Sequence, residues 1–294
     1  MHPLCSSTRP PLSSRALVLH GGGSAGNAWE IGVVAGLRDG GLDATAADLI
    51  IGTSAGATAA AQITGASPAQ LLEDILEAAP PRRPARAPGA RPVDHLQRTG
   101  RIIAAAASAA EMRRRMGAGA LELDADGSAS ARWRTVVAAR LPANRWPDRA
   151  VLIPAVDART GTPVVFDRSS GVELVDAVAA STSSGAAYRI GEDRYIDGGY
   201  RRNENADLAA GSERVLVLSP FGGRTRHPLE WRMQLAAQIE ELQAAGSRVE
   251  TVLPDDASLA AFGDDMMDPS TRRPAARAGF TQGRARADAL RRFW

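Results

Sequence analysis

The sequence predicts an α/β fold, a central mostly parallel sheet flanked by helices, and three observations lead there. Residues 17–19, 49–51 and 215–218 are short runs of branched apolar side chains, the length and character of buried strands. The first two pass through a small-residue turn into a stretch with helical spacing, the order that builds a parallel sheet. The chain has 294 residues, 44% of them apolar, enough for one large core, and no internal repeat divides it. One domain over 15–294 with an insertion is therefore expected.

Residues 1–14 are rich in Pro, Ser and Thr and lack an apolar stretch of signal-peptide length, so they read as a disordered tail. A strand over 15–20 runs into Gly21-Gly22-Gly23-Ser24-Ala25-Gly26. A helix follows with Ile31, Val34 and Ala35 at helical spacing, and Gly40-Gly41 ends it. The next strand, 49–51, enters Gly52-Thr53-Ser54-Ala55-Gly56 and an alanine-rich helix that stops at Gly65. Ser67-Pro68-Ala69-Gln70 has the pattern of a capping box opening a further helix to about residue 79.

From 80 to 92 the prolines exclude helix and central strand, leaving an exposed loop. Residues 102–116 read as helix, 124–130 as loop, and 133–139 as short and ambiguous; together 80–149 is expected to be an insertion over the site, a lid or cap. Residues 150–153 and 164–166 read as paired strands around the Arg159-Thr160-Gly161 turn, and 172–180 as a helix delivering the chain to Ser181. Tyr195-Ile196-Asp197-Gly198-Gly199 ends a short strand on an acid and a glycine turn. Strand 215–218, a helix over 229–245 and strand 249–253 form a βαβ unit, and the tail from Asp255 is helical in patches.

Two of these turns have chemical potential. Consecutive glycines at 21–23 expose backbone N–H groups with no side chain in the way, as an anion-binding loop requires. Ser54 lies between a strand and a helix in a G-x-S-x-G setting, where the helix N-terminus favours a developing oxyanion. Taken alone, each turn is equally readable as ordinary packing.

The blocks 21–26, 52–56 and 197–199, in this order, resemble the three signature blocks of the patatin-like phospholipases, and residues 180–184 resemble that family's approach to its aspartate. The resemblance covers roughly 15–205. It implies a three-layer α/β/α patatin-like fold and a serine acyl hydrolase for lipid esters, of phospholipase A, lysophospholipase or esterase type. It implies a dyad of Ser54 as nucleophile and Asp197 as base, with Gly21, Gly22 and Gly23 as oxyanion hole. Gly26, Gly52, Gly56, Gly198 and Gly199 are the remaining motif glycines, and no cofactor is implied. The chain departs from the family pattern at Ala25, where a basic residue is usual, and at Gly185 and Asn205, near usual prolines. A catalytically silent lipid-binding or scaffolding member of the family is the main alternative.

Other readings rest on less. Gly21-x-Gly23-x-x-Gly26 also matches a dinucleotide fingerprint, but the following strand ends in Gly52-Thr53-Ser54, not in the acid that would hold a ribose. Ser54, Asp197 and His227 occur in the order of an α/β-hydrolase triad, yet the elbow comes before enough strands for that sheet, and His227 reads as a surface residue in a polar loop. His20 reads as support for the glycine loop. Trp29 is expected to pack the first helix, and Trp133 and Trp146 to pack the core or lid in preference to facing lipid from the lid. Four histidines and one cysteine, none at ligand spacing, suggest no metal site.

All 35 basic residues are arginine, consistent with a GC-rich coding bias, and the net charge of +2 argues against a nucleic-acid binder. The charge is uneven: residues 82–115 carry +7 and 272–294 carry +6, on a remainder of −11. Such segments read either as solvated faces or as peripheral contacts with anionic membrane. No window approaches the ~20 apolar residues of a membrane span, and a cytoplasmic protein, in its membrane-touching form a peripheral one, is the expectation.

Overall fold

A computed structural model describes residues 14–79, 95–123 and 128–294. The expected N-terminal tail, apart from Ser14, and the proline-rich loop over 80–92 lie outside the described residues. Among the described residues eight strands form one sheet: β1 (Arg15–Leu19), β2 (Leu49–Gly52), β3 (Ala150–Asp157), β4 (Pro163–Phe166), β5 (Tyr188–Ile190), β6 (Asp193–Asp197), β7 (Arg214–Leu218) and β8 (Arg248–Val252). Their order is β5-β6-β3-β2-β1-β7-β8, with β4 also paired to β3. The run β3-β2-β1-β7-β8 is parallel. The β3 strand changes partner along its length: Ala150 to Leu152 pair in parallel with β2, while Ala155 to Asp157 pair antiparallel with β6. That switch brings Asp197, the last residue of β6, beside the parallel core.

The helices are α1 (Gly23–Asp39), α2 (Ala55–Gly65), α3 (Pro68–Glu77), α4 (His95–Ala105), α5 (Ala109–Glu122), α6 (Ser128–Ala138), α7 (Leu174–Ser181), α8 (Leu235–Ala244), α9 (Asp256–Phe262) and α10 (Arg272–Phe293). Strand alternation sorts them into layers. Leu17 and Leu19 of β1 point into a core shared with α1, α2, α7 and α10, whereas Ala16 and Val18 face the core that holds Leu235 and Leu242 of α8. Each fully buried leucine contributes about 1.5–3 kcal/mol. The result is the three-layer α/β/α arrangement.

Several elements differ from expectation. The tail after Asp255 is dominated by the 22-residue α10, which lies against α1 through reciprocal small residues. A Cβ on Gly36 would stand 2.1 Å from the Phe280 carbonyl, and one on Gly283 would stand 2.3 Å from that of Val33. Trp29 is buried beneath this contact and donates Nε1–H to Ser258 Oγ at 3.0 Å and Gln282 Oε1 at 3.1 Å. The helix expected over 102–116 is two, because Ser108 starts a new one: its Oγ accepts from Glu111 N–H, and the Glu111 carboxylate accepts from Ala107 N–H. At Ser67 only half of a capping box forms. Ser67 Oγ accepts from Gln70 N–H, but the Gln70 amide donates forward to Asp74 at 2.9 Å.

The helix expected from 229 begins at Leu235; a single 3-10 turn occupies Leu229–Trp231 and the left-handed Arg232 (φ 52°) interrupts it. Residues 128–138, read as loop and then as ambiguous, form α6. Within the expected lid region, Met112 and Met116 of α5 pack on Val156 and Ile196 of the sheet. Trp133 donates Nε1–H to Ala179 O at 3.2 Å and Trp146 donates to Val172 O at 2.7 Å, so both tryptophans pack inward.

Candidate active site

Ser54 sits between β2 and α2 with φ 55° and ψ −120°, a conformation that costs a non-glycine residue about 1–3 kcal/mol. The surrounding contacts hold it there. Thr53 N–H donates to Leu19 O at 2.9 Å, tying the turn to β1, and Ser54 N–H donates to Ser181 Oγ at 3.1 Å. Gly56 lets the helix start pass the end of β1, since a Cβ there would be 2.2 Å from Leu19 O. Strain maintained by packing and hydrogen bonds on both sides presents the hydroxyl outward, as in a nucleophile elbow.

Ser54 Oγ–H donates to Asp197 Oδ2 at 2.8 Å, and Gly199 N–H donates to Asp197 Oδ1 at 2.8 Å. Asp197 N–H is itself held by Ser183 O at 3.0 Å, so residues 181 and 183 position both partners. Asp197 is 6% exposed, and burial raises its pKa from 3.8 to about 6 against the opposing hydrogen bonds from Gly199 and Ser54. It is still mostly ionised at neutral pH, yet a stronger base than an exposed aspartate.

The glycine loop faces this pair. A Cβ on Gly21 would lie 3.0 Å from Ser54 Cβ. Gly23 has φ +61°, open to glycine, and Gly26 N–H donates to Gly22 O at 2.8 Å, fixing the loop on the first turn of α1. Among the described residues, the N–H groups of Gly21, Gly22 and Gly23 donate to no protein acceptor. His20, at the end of β1, is buried edge-on to Phe221 at 5.5 Å, and burial lowers its pKa to about 3. It is a neutral packing group under the loop.

A cavity of about 670 Å³ opens on Ser54, with Ile31, Leu71, Ile75 and Leu141 among its apolar walls and Arg140 and Arg272 among its polar ones.

A family model described as patatin-like phospholipase matches residues 17–210. The chain belongs to the patatin-like phospholipase family. As a member of it, the protein is a lipid acyl hydrolase. No curated protein sequence matches. Two solved structures are similar at low identity: VipD from Legionella pneumophila (12% identity, 94% of this chain and 67% of that one, TM-score 0.45) and the type III effector protein ExoU (15% identity, 96% and 54%, TM-score 0.39). The chain thus spans about half of the ExoU chain.

In this patatin-like phospholipase the residues singled out in the sequence come together: Ser54, Asp197 and the glycine loop meet at the carboxyl ends of β1 and β2. His227 stands apart from them. Its Nδ1 is 3.1 Å from Asn203 Oδ1 and 3.2 Å from Thr225 Oγ1, while both Asp197 oxygens are taken by Ser54 and Gly199. Nor is it a surface residue: it is half-buried beside Trp231, and burial, then the Arg226 charge, lower its pKa to about 4.

Sequence reasoning missed the role of Asn205, noted only as a departure from the family pattern. The residue is fully buried and left-handed (φ 56°), and its Nδ2 donates to Thr53 Oγ1 and to Gly198 O, both at 3.0 Å. One amide thereby fastens the residue before the serine to the residue after the aspartate.

Proposed function

We propose that this protein hydrolyses carboxylic esters of lipids with Ser54 as nucleophile and Asp197 as the general base, without a histidine. The 2.8 Å hydrogen bond from Ser54 Oγ to the buried Asp197 carboxylate, made at a strained elbow, carries this reading. Asp197 takes the hydroxyl proton as Oγ attacks the ester carbonyl carbon. The N–H groups of Gly21, Gly22 and Gly23 bind the resulting oxyanion, each worth about 3 kcal/mol of barrier. The intermediate collapses by expelling the alcohol, which takes the proton from Asp197, and leaves an acyl group on Ser54. Water, deprotonated by Asp197, then releases the fatty acid.

In the same reading the described part of the expected lid region caps this site, supported by Trp133, Leu141 and Pro142 in the cavity wall. Contact with anionic membrane through the arginine-rich segments is supported by Met267, 64% exposed at the cavity, and by the exposed Arg273 and Arg277 on the adjoining helix. A fluorophosphonate probe, with the modified peptide mapped by mass spectrometry, tests the nucleophile. Modification at Ser54 is expected. No modification, even with anionic vesicles present, would overturn the hydrolase reading in favour of a silent lipid-binding member.

A further inference from the structure

Two arginines line the cavity that opens on Ser54, and neither is neutralised by a carboxylate among the described residues. Arg272, the first residue of α10, donates from Nη1 to Asn27 Oδ1 at 3.0 Å and to Ser24 O at 3.4 Å, both neutral acceptors. The Arg140 guanidinium lies over the Trp133 ring at 5.3 Å and, among the described residues, donates no hydrogen bond. Asp74 is the cavity's one lining carboxylate among the described residues; it accepts from Gln70 on its own helix and pairs with neither arginine.

Arg140 is exposed and Arg272 half-buried, so a ligand entering the cavity can reach both guanidinium groups. A cation at a helix N-terminus opposes the helix dipole. Burial and then the neighbouring charge of Arg140 push the Arg272 pKa down to about 10, so the two guanidinium groups feel one another. The scaffold nevertheless holds both sides of the cavity in register. Asn27 accepts from Arg272 and donates Nδ2–H to Gln62 Oε1 at 2.9 Å, and Gln62 donates Nε2–H to the backbone carbonyl of Arg140 at 3.1 Å. Asn27 and Gln62 are both buried. A relay of buried amides joining two unpaired arginines in one cavity is a site prepared for an anion.

We propose that Arg140 and Arg272 form an anion subsite that binds a phosphate group carried by the alcohol half of the ester, selecting anionic over neutral acyl esters. Arg272 reaches Ser24, the residue that follows the glycine loop, so the bound phosphate lies on the same side of the cavity as that loop. Ala25 leaves the loop itself without a cation, and Arg272 supplies charge to this region from a distant part of the chain. The proposal rests on Ser54 being the nucleophile of this cavity.

The test compares kcat/KM for a neutral short-chain p-nitrophenyl ester and a short-chain 1-acyl-glycerol-3-phosphate. The proteins are the 294-residue chain and its Arg140→Gln, Arg272→Gln, Arg272→Lys and double-Gln variants. Gln at 272 retains a donor for Asn27, and circular dichroism checks the fold. The anionic-to-neutral selectivity is expected to fall roughly tenfold in each single Gln variant and further in the double, with Lys at 272 recovering part of it. Inorganic phosphate is expected to raise the melting temperature of the unmodified chain and not that of the double variant. Selectivity within twofold of the original in the double variant would overturn the subsite. A phosphate response surviving in that variant would place any anion site elsewhere and also overturn it. Protection by octanoate without protection by phosphate would overturn the phosphate assignment in favour of product carboxylate. Absence of hydrolysis of both esters would sink the Ser54 reading, while the phosphate titration still reads the subsite.

Discussion

Replacing Asp197 with Asn removes the proposed base and a buried charge together, so stability and activity should move in opposite directions. Burial raises the Asp197 pKa from 3.8 to about 6. Its contribution to stability is therefore complete while it is protonated, below about pH 4, and is lost as pH rises through about 6. At ~1.36 kcal/mol per pKa unit, the ionised carboxylate costs the folded state about 3 kcal/mol at pH 8 relative to its acid form. Asn does not titrate, and it can still accept from Gly199 N–H and donate to Ser54 Oγ. Urea unfolding of both proteins from pH 4 to pH 8 reads the difference directly. The variant should gain on the parent between pH 4 and pH 7 by roughly 1–3 kcal/mol and then level off. Other buried acids, such as Glu204 with its pKa raised to about 7, chiefly by burial, titrate in both proteins and cancel. A stability difference that does not change with pH, or one that falls as pH rises, would show that Asp197 is not a buried, destabilised carboxylate.

Three further outcomes follow from the same geometry. With Asp197 as base, kcat/KM for a neutral ester should drop about tenfold per pH unit below 6 and flatten above 7; a profile flat from pH 8 down to about pH 5 and falling only near 4, where His227 titrates, would point elsewhere. Asn205→Ala should lose about 1–3 kcal/mol in denaturant unfolding, because Thr53 Oγ1 and Gly198 O lose a buried donor; an unchanged midpoint would show that the amide bridge is dispensable. Gly56→Ala should cost about 3 kcal/mol or more, since its Cβ would meet Leu19 O at 2.2 Å, and wild-type thermal stability in this variant would contradict the packing described.

Much of the site was legible because its constraints are local. Strand, glycines and Ser54 follow one another within a few residues, although the backbones that Gly23, Gly56 and Gly198 clear, at Met266, Leu19 and Pro154, lie far off in sequence. Asp197 was legible only through the resemblance of residues 197–199 to the family's block. What lay beyond reach was set by distant partners. The α10 helix has an arginine- and alanine-rich sequence whose buried face is mostly alanine and glycine, and its glycines have meaning only against those of α1, which lie nearly 250 residues earlier. In sequence Asn205 is only a departure from a usual proline, because the Thr53 and Gly198 groups its amide spans are set by the fold. Arg272 looked like one charge in a basic tail, although the Gly32/Gly36 and Gly279/Gly283 spacing, four residues in both helices, was a signal that could have docked that tail beside the glycine loop. In the lid region, Ser108 and Glu111 did carry a readable helix start, which the alanine run concealed.

A serine–aspartate dyad that works without histidine is tested by kcat/KM of Asp197→Asn and His227→Ala on one neutral p-nitrophenyl ester at pH 8. A loss of at least a hundredfold in Asp197→Asn, with His227→Ala within about threefold of the parent, is the predicted result. The reverse pattern, activity abolished in His227→Ala and retained in Asp197→Asn, would contradict it.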